Sequence, residues 1–362
     1  MKLLYLADAN RNHTKSVIQY FYDKGYDVEL ISHSPLNEFD IKVHLINNCR
    51  NKNGGLKKFW YLEQIGRIRA IIDKVQPDIL HALNITDFGV LGAFSNFHPF
   101  VVTAFGPDIF HYPRKNPVYN SLIRFCLRRV DLLNGSAPHI AAKIKKMKFK
   151  KSKILAYDFF LDISDKTEFE PPGASRSHCY TVLSTVNWES HTNLKTLLQT
   201  IPKVVQENKK VWFILLCNEW TQARLAPIVK KLRISENVAF PPLNNQKDVE
   251  QYYQLADIYI SLALSDGMPQ ALFKAMKYGA FPIMSEIPAY QEWIEDGENG
   301  LLVKPKNSNE IARTILTAIR NQDVCERAAQ INQEKISLLP SIEKNLEQLE
   351  YHYFDLSKKM GK

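Results

Sequence analysis

Short apolar runs alternate along this chain with longer stretches whose apolar residues recur every three or four positions. The first pattern predicts buried strands, the second amphipathic helices. Lys2–Ala7 (KLLYLA) reads as a strand, Asp8–Thr14 as a polar loop, Thr14–Lys24 as a helix stopped by Gly25, and Val28–Ser32 as a second strand. That order opens a doubly wound parallel sheet. Further strands are expected at Ile41–Ile46, Asp78–Ala82, Pro99–Ala104, Asp131–Ser136 and Lys153–Ala156. Helices are expected between them at Gly55–Lys74, Thr86–Asn96, Asn116–Arg129 and Pro138–Lys150.

Phe160–Ser177 breaks the alternation. It is acidic, then rich in Pro, Gly and Ser, as at a domain boundary. A second series follows, with strands at Tyr180–Thr185, Val211–Cys217, Val238–Phe240, Asp257–Leu262 and Phe281–Met284. Its helices are Asn193–Glu207, Thr221–Leu232, Asn245–Leu255 and Gln270–Tyr278, and three more (Ser308–Arg320, Cys325–Lys335, Ser341–Lys359) complete it. The expected division is a first domain over 1–162, a linker over 163–178 and a second domain over 179–340.

Composition narrows this picture. A chain of 362 residues with 45% hydrophobic content has ample core for two globular domains. No apolar run reaches membrane-spanning length, and Asp8 interrupts the N-terminal run too early for a signal peptide. Five scattered cysteines without paired spacing predict a reduced, cytoplasmic setting and neither a zinc site nor a disulfide framework. The net charge of +9 is concentrated: Arg114–Lys153 holds twelve Lys or Arg and one acid, Asp131. No nucleic-acid motif accompanies it, so nucleic acid is not an expected partner. An anionic membrane surface is the alternative to a merely solvated basic face, and would make the protein peripheral on the inner face of the membrane.

The most informative stretch is Ala263–Val303. An apolar strand leads into Ser265-Asp266-Gly267-Met268-Pro269, then a helix from Gln270 with Ala271, Leu272, Ala275 and Met276 as its apolar side, then Gly279 and the next strand. Pro269 suits the first helical position. Such a unit aims free backbone N–H groups at whatever lies above the loop, a way to hold phosphate; an ordinary turn in a buried unit is the plainer reading.

The words SDGMPQAL, AMKYG, FPIMSEIPAYQEWI and DGENGLLV resemble the nucleotide-sugar core of the family 4 retaining glycosyltransferases. PDILHA, and Phe105-Gly106-Pro107-Asp108-Ile109 against the family's His-Gly-Ser-Asp-Ile, extend the likeness into the first half. The resemblance implies an α/β protein of GT-B fold, two Rossmann-like domains facing across a cleft, with helix 341–360 packing back on the first. It implies transfer of a sugar from a nucleotide donor, UDP- or GDP-linked, to a glycan or lipid-linked acceptor in cell-surface polysaccharide synthesis. It implies retention of configuration and no metal or other cofactor, in keeping with the lack of an Asp-x-Asp pair. The donor side would comprise Asn187, Glu189, Asn193, Leu243, Asn245, Asp266, Gly267, Met268, Pro269, Gln270 and Lys274. The acceptor side would comprise Asn12, His13, Thr14, His81, Gly106 and Asp108, with His13, Asp108 and Lys274 catalytic.

Three positions depart from the family pattern: Phe105 stands for a histidine, Val186 for an arginine and Lys274 for an acid. Lysine cannot accept the sugar hydroxyl bonds that a carboxylate would. Lys274 is therefore expected to supply the phosphate cation that the loop Ser184–Asn193 lacks, with Glu286 as a substitute acceptor or as a cap of the next short helix. The alternative is a catalytically silent GT-B protein that binds or regulates an active transferase.

Overall fold

The computed structural model describes residues 1–46, 60–115, 117–147, 153–157, 179–186, 188–189, 191–242 and 246–361. The linker, the start of the helix expected from Gly55, and Lys148–Lys151 lie outside them, as do Asn187, Leu243 and Asn245. The chain forms two units, Met1–Asp162 with Pro340–Lys362, and Ile163–Leu339.

In the first unit the described strands are β1 (Lys2–Leu6), β2 (Asp27–Ser32), β3 (Lys42–Leu45), β4 (Ile79–Leu83), β5 (Phe100–Ala104), β6 (Leu132–Gly135) and β7 (Lys153–Leu155). They pair in parallel in the order β3-β2-β1-β4-β5-β6-β7. The order reverses between β1 and β4, where such sheets open a crevice at their carboxyl ends. Helix Asn12–Asp23 buries Thr14, Val17, Ile18 and Phe21, a spacing that places all four on one face. Helix Ile342–Lys359 returns to this core through Leu346, Leu349 and Tyr353. The Tyr353 ring stacks on Phe21 at 5.4 Å. Each such buried side chain contributes roughly 1.5–3 kcal/mol. Glu350, beside them, accepts from Tyr20 at 2.9 Å, Lys24 at 2.8 Å and Tyr26.

In the second unit β8 (Tyr180–Thr185), β9 (Val211–Leu216), β10 (Val238–Ala239), β11 (Ile258–Ser261), β12 (Phe281–Ser285) and β13 (Leu301–Val303) pair in the order β10-β9-β8-β11-β12-β13. All of these pairings are parallel, and the switch point lies between β8 and β11. The two-sheet, doubly wound expectation holds.

Three local expectations need correction. The helix expected over Thr86–Asn96 is a wide π-turn, Ile85–Gly89, followed by a short α-helix, Val90–Ser95. Asn84 causes the start: at φ 151 its side chain accepts from the N–H groups of Asp87 and Phe88. Gly89 permits the packing, since a Cβ there would sit 2.6 Å from the Asn84 carbonyl oxygen. Pro269 caps helix Gln270–Lys277 and is not its first residue; its carbonyl accepts from Phe273 N at 3.1 Å. That helix buries Leu272, Phe273, Ala275 and Met276, with Phe273 in the place expected for Ala271 because its ring meets Trp293 edge-on at 4.6 Å.

Candidate functional site

At the switch point of the second unit, β8 ends in Ser184 and Thr185, β11 in Ser261, and the loop after β11 carries Asp266. With Val186, His191, Thr192, Pro269 and Tyr290 they line a cavity of about 160 Å³. The Tyr290 hydroxyl donates to Asp266 Oδ2 at 2.9 Å and lies 2.8 Å from Ser261 Oγ. The other Asp266 oxygen accepts from Gly267 N at 2.7 Å, which fixes the carboxylate against its own loop. Burial, and after it the Asp266 charge, raise the Tyr290 phenol well above its ordinary range. Tyr290 therefore stays a hydroxyl donor at any working pH. Among the described residues that line the cavity, Asp266 is the only acid, and His191 the only side chain able to carry positive charge. His191 Nδ1 lies 3.2 Å from Glu189 Oε2, and its carbonyl accepts from Leu264 N at 2.7 Å, which ties the β8 loop to the β11 loop.

The expected donor residues divide. Asp266 and Pro269 line this cavity. Gly267 and Met268 are half-buried beside it, Gln270 is exposed, and Lys274 is half-buried in the last turn of its helix, away from the lining. Glu189 lines a separate apolar groove with Trp188, Leu194 and Leu198. Asn193, left-handed at φ 56, has an internal role: its amide donates to Leu262 O at 3.1 Å and Pro305 O at 2.5 Å, and its carbonyl accepts from Thr196 at 2.8 Å. Glu286 is exposed, and neither lines the cavity nor caps Pro288–Gln291, whose N-cap is Ile287 without a side-chain bond. Tyr290 and His191 join the site without being among the residues expected there. His191 lies in the loop Ser184–Asn193, and Tyr290 in FPIMSEIPAYQEWI.

In the first unit, His13 is the second residue of helix Asn12–Asp23, after exposed Asn12. Its half-buried ring lies 4.8 Å from that of Phe105. Burial, then the Arg11 guanidinium, push the imidazole down to about 4 against a smaller pull from Asp8, so it is neutral near pH 7. The remaining acceptor-side expectations meet a closed core. Asp108 is 3% exposed and accepts from Ile85 N at 3.1 Å, Phe105 N at 3.0 Å and Thr86 Oγ1 at 3.0 Å. Burial raises its pKa to about 6 against the opposing pull of those three bonds. This carboxylate holds the π-turn and the Phe105 loop together and presents no oxygen to an acceptor. His81 is 1% exposed, with Nδ1 2.5 Å from the Tyr353 hydroxyl and Nε2 2.8 Å from Thr103 Oγ1, so both nitrogens are engaged inside the core. Thr14 and Gly106 are buried as well.

Residues 2–135 match the family described as glycosyl transferase 4-like, and residues 165–335 match glycosyl transferases group 1. The chain belongs to the glycosyltransferases of GT-B type. An uncharacterized glycosyltransferase of Haemophilus influenzae is 30% identical over 105 residues, 28% of this chain and 29% of that protein. The putative glycosyltransferase EpsD of Bacillus subtilis is 27% identical over 103 residues, 28% of this chain and 26% of that protein. These matches thus span under a third of either relative. In fold, this GT-B chain is similar to HepE of Anabaena in complex with UDP-glucose (TM-score 0.76, 16% identity, 98% and 100% of the two chains). It is also similar to sucrose-phosphate synthase of Thermosynechococcus elongatus (TM-score 0.75, 14% identity, 98% and 99%).

Proposed function

We propose that this chain transfers a sugar, with retention and without a metal, from a UDP-sugar to a glycan or lipid-linked acceptor in cell-surface polysaccharide synthesis. The observation that carries the reading is the Asp266–Tyr290 pair in a cavity at the carboxyl ends of β8 and β11. UDP is favoured over GDP because HepE, similar in fold, was solved with UDP-glucose. The Asp266 carboxylate keeps lone pairs that can accept from hydroxyls of a bound nucleotide or sugar, and the Tyr290 O–H that it accepts from orients it. A departing diphosphate needs positive charge or aimed donors, the largest electrostatic contribution in such reactions. His191 lies nearest to that task, and Lys274 is a second cation on the adjoining helix. His13, neutral and beside Phe105, belongs to the acceptor side.

The deciding experiment screens UDP- and GDP-sugars for binding and turnover. UDP and a UDP-sugar are expected to bind, and Tyr290→Phe is expected to weaken both; a chain that binds no nucleotide sugar would falsify the reading. Peripheral attachment to anionic membrane through Arg114–Lys153 is part of the proposal. Among the described residues no helix is long and apolar enough to cross a membrane. Flotation that is equal on neutral and anionic vesicles would remove the attachment.

A further inference from the structure

The first unit has a second cavity, at the amino edge of its sheet, opposite the edge that holds His13 and Phe105. Its volume is about 480 Å³, and its walls are the turn from Arg128 to Leu132 and the last turn of helix Ile342–Lys359. The charges around it do not cancel. Asp131 is occupied, accepting from His98 Nδ1 at 2.6 Å and from Phe100 N at 2.7 Å. Asp355 is held by Lys359 at 2.8 Å. That leaves two adjacent guanidiniums without an acid. Arg129 donates to the neutral side chain of Asn96 and lies 5.0 Å over the Phe125 ring. Arg128 is exposed and has no side-chain partner among the described residues. Leu356 and Met360 supply an apolar margin.

We propose that this cavity binds a phosphate-bearing ligand. Paired guanidinium forks match the several oxygens of a phosphate better than a single carboxylate does, and such charge-assisted bonds are the strong ones. Lys359, on a flexible stem, can turn from Asp355 to a phosphate oxygen as a third cation. The size suits a phosphate with a small organic part, and the apolar margin suits that part. The same chemistry is offered by a soluble phosphate monoester and by a lipid phosphate headgroup. Neither the cavity nor its ligand depends on the transferase reading.

Calorimetry on the full chain with inorganic phosphate and glycerol 3-phosphate tests this, alongside co-sedimentation with phosphatidylcholine vesicles with and without phosphatidic acid. Arg128→Glu and Lys359→Glu change exposed residues, so thermal unfolding should stay as in the unaltered chain. Each is expected to weaken phosphate binding by about tenfold or more. Binding to phosphatidic acid vesicles that free phosphate competes away identifies a headgroup; binding of glycerol 3-phosphate with indifference to vesicles identifies a solute. The proposal is overturned if the unaltered chain binds neither phosphate nor phosphatidic acid vesicles, or if both variants bind as well as it does.

Discussion

Two acidic residues at the carboxyl edges of the two sheets met opposite fates. Asp108 follows β5 and Asp266 follows β11, each after a short apolar strand. Asp108 is closed in by three donors from the loop and π-turn around it. Asp266 takes one backbone donor and one phenol, and still borders open space. A carboxylate after a strand in an α/β sheet is therefore not by itself a ligand site. What separates the two is whether the neighbouring turns close over the carboxylate: Asp108 is covered and Asp266 is left half-buried. The π-turn at Ile85–Gly89 delivers two donors to Asp108; the tight loop at Asp266 delivers Gly267 N and leaves the carboxylate on a cavity wall.

The contrast can be broken most forcibly at Asp108. Asp108→Ala leaves two backbone N–H groups without their acceptor, each at a cost of about 1–3 kcal/mol. Thermal unfolding should show a loss of about 3 kcal/mol or more, and UDP affinity measured below the unfolding range should change little. A stable variant with lost UDP binding would reverse the assignment.

The pH dependence of stability sharpens the contrast. The Asp108 pKa is raised from 3.8 to about 6, so between those values the folded chain holds a proton that the unfolded chain has lost. Its contribution falls as pH rises through that window. The His81 pKa is lowered from 6.5 to about 3 by burial, so between those values the unfolded chain holds the extra proton. Its contribution rises with pH there. The two oppose each other between about pH 4 and 6. Asp108→Asn removes one side, and stability should then climb more steeply with pH, by up to about 1.4 kcal/mol per unit. Denaturant midpoints across that range measure it; parallel profiles for the two proteins would show that Asp108 does not titrate as described.

Smaller effects probe the second unit. His191→Ala should weaken UDP binding about ten- to hundredfold, the size of one charged hydrogen bond to phosphate. Lys274→Ala should weaken it by less, because Lys274 does not line the cavity. Calorimetry on both variants under one salt condition ranks them; a larger loss at Lys274 restores that lysine as the main phosphate cation.

Local spacing made the sheets legible. Alternating apolar runs and helical faces located every described strand but β13 (Leu301–Val303) to within about two residues, the usual reach of local pattern; that three-residue strand is too short to show a period. Local pattern failed where the cause was distant in sequence. The π-turn has local causes in Asn84 and Gly89, but the acceptor that holds it to the next strand's loop, Asp108, lies more than twenty residues on. The closed state of His81 depends on Tyr353, on a helix that joins the sheet only in three dimensions. Asn193 has the composition of a donor-binding residue, yet its bonds go to Leu262, Pro305 and Thr196. Tyr290 carries no local signal of its role, because its partner, Asp266, lies 24 positions earlier.

The return of helix Ile342–Lys359 also fixes an order of events during synthesis. Leu346, Leu349 and Tyr353 complete the core built by β1, β2 and β4, and Tyr353 supplies the partner of His81. On the ribosome, residues 1–162 emerge first and must wait, with that face open to water, while residues 163–339 are made. The second unit has its whole core within one continuous segment and can close earlier. In the cell, then, the half translated first is the half finished last, and during that interval its uncovered apolar face is what chaperones would meet.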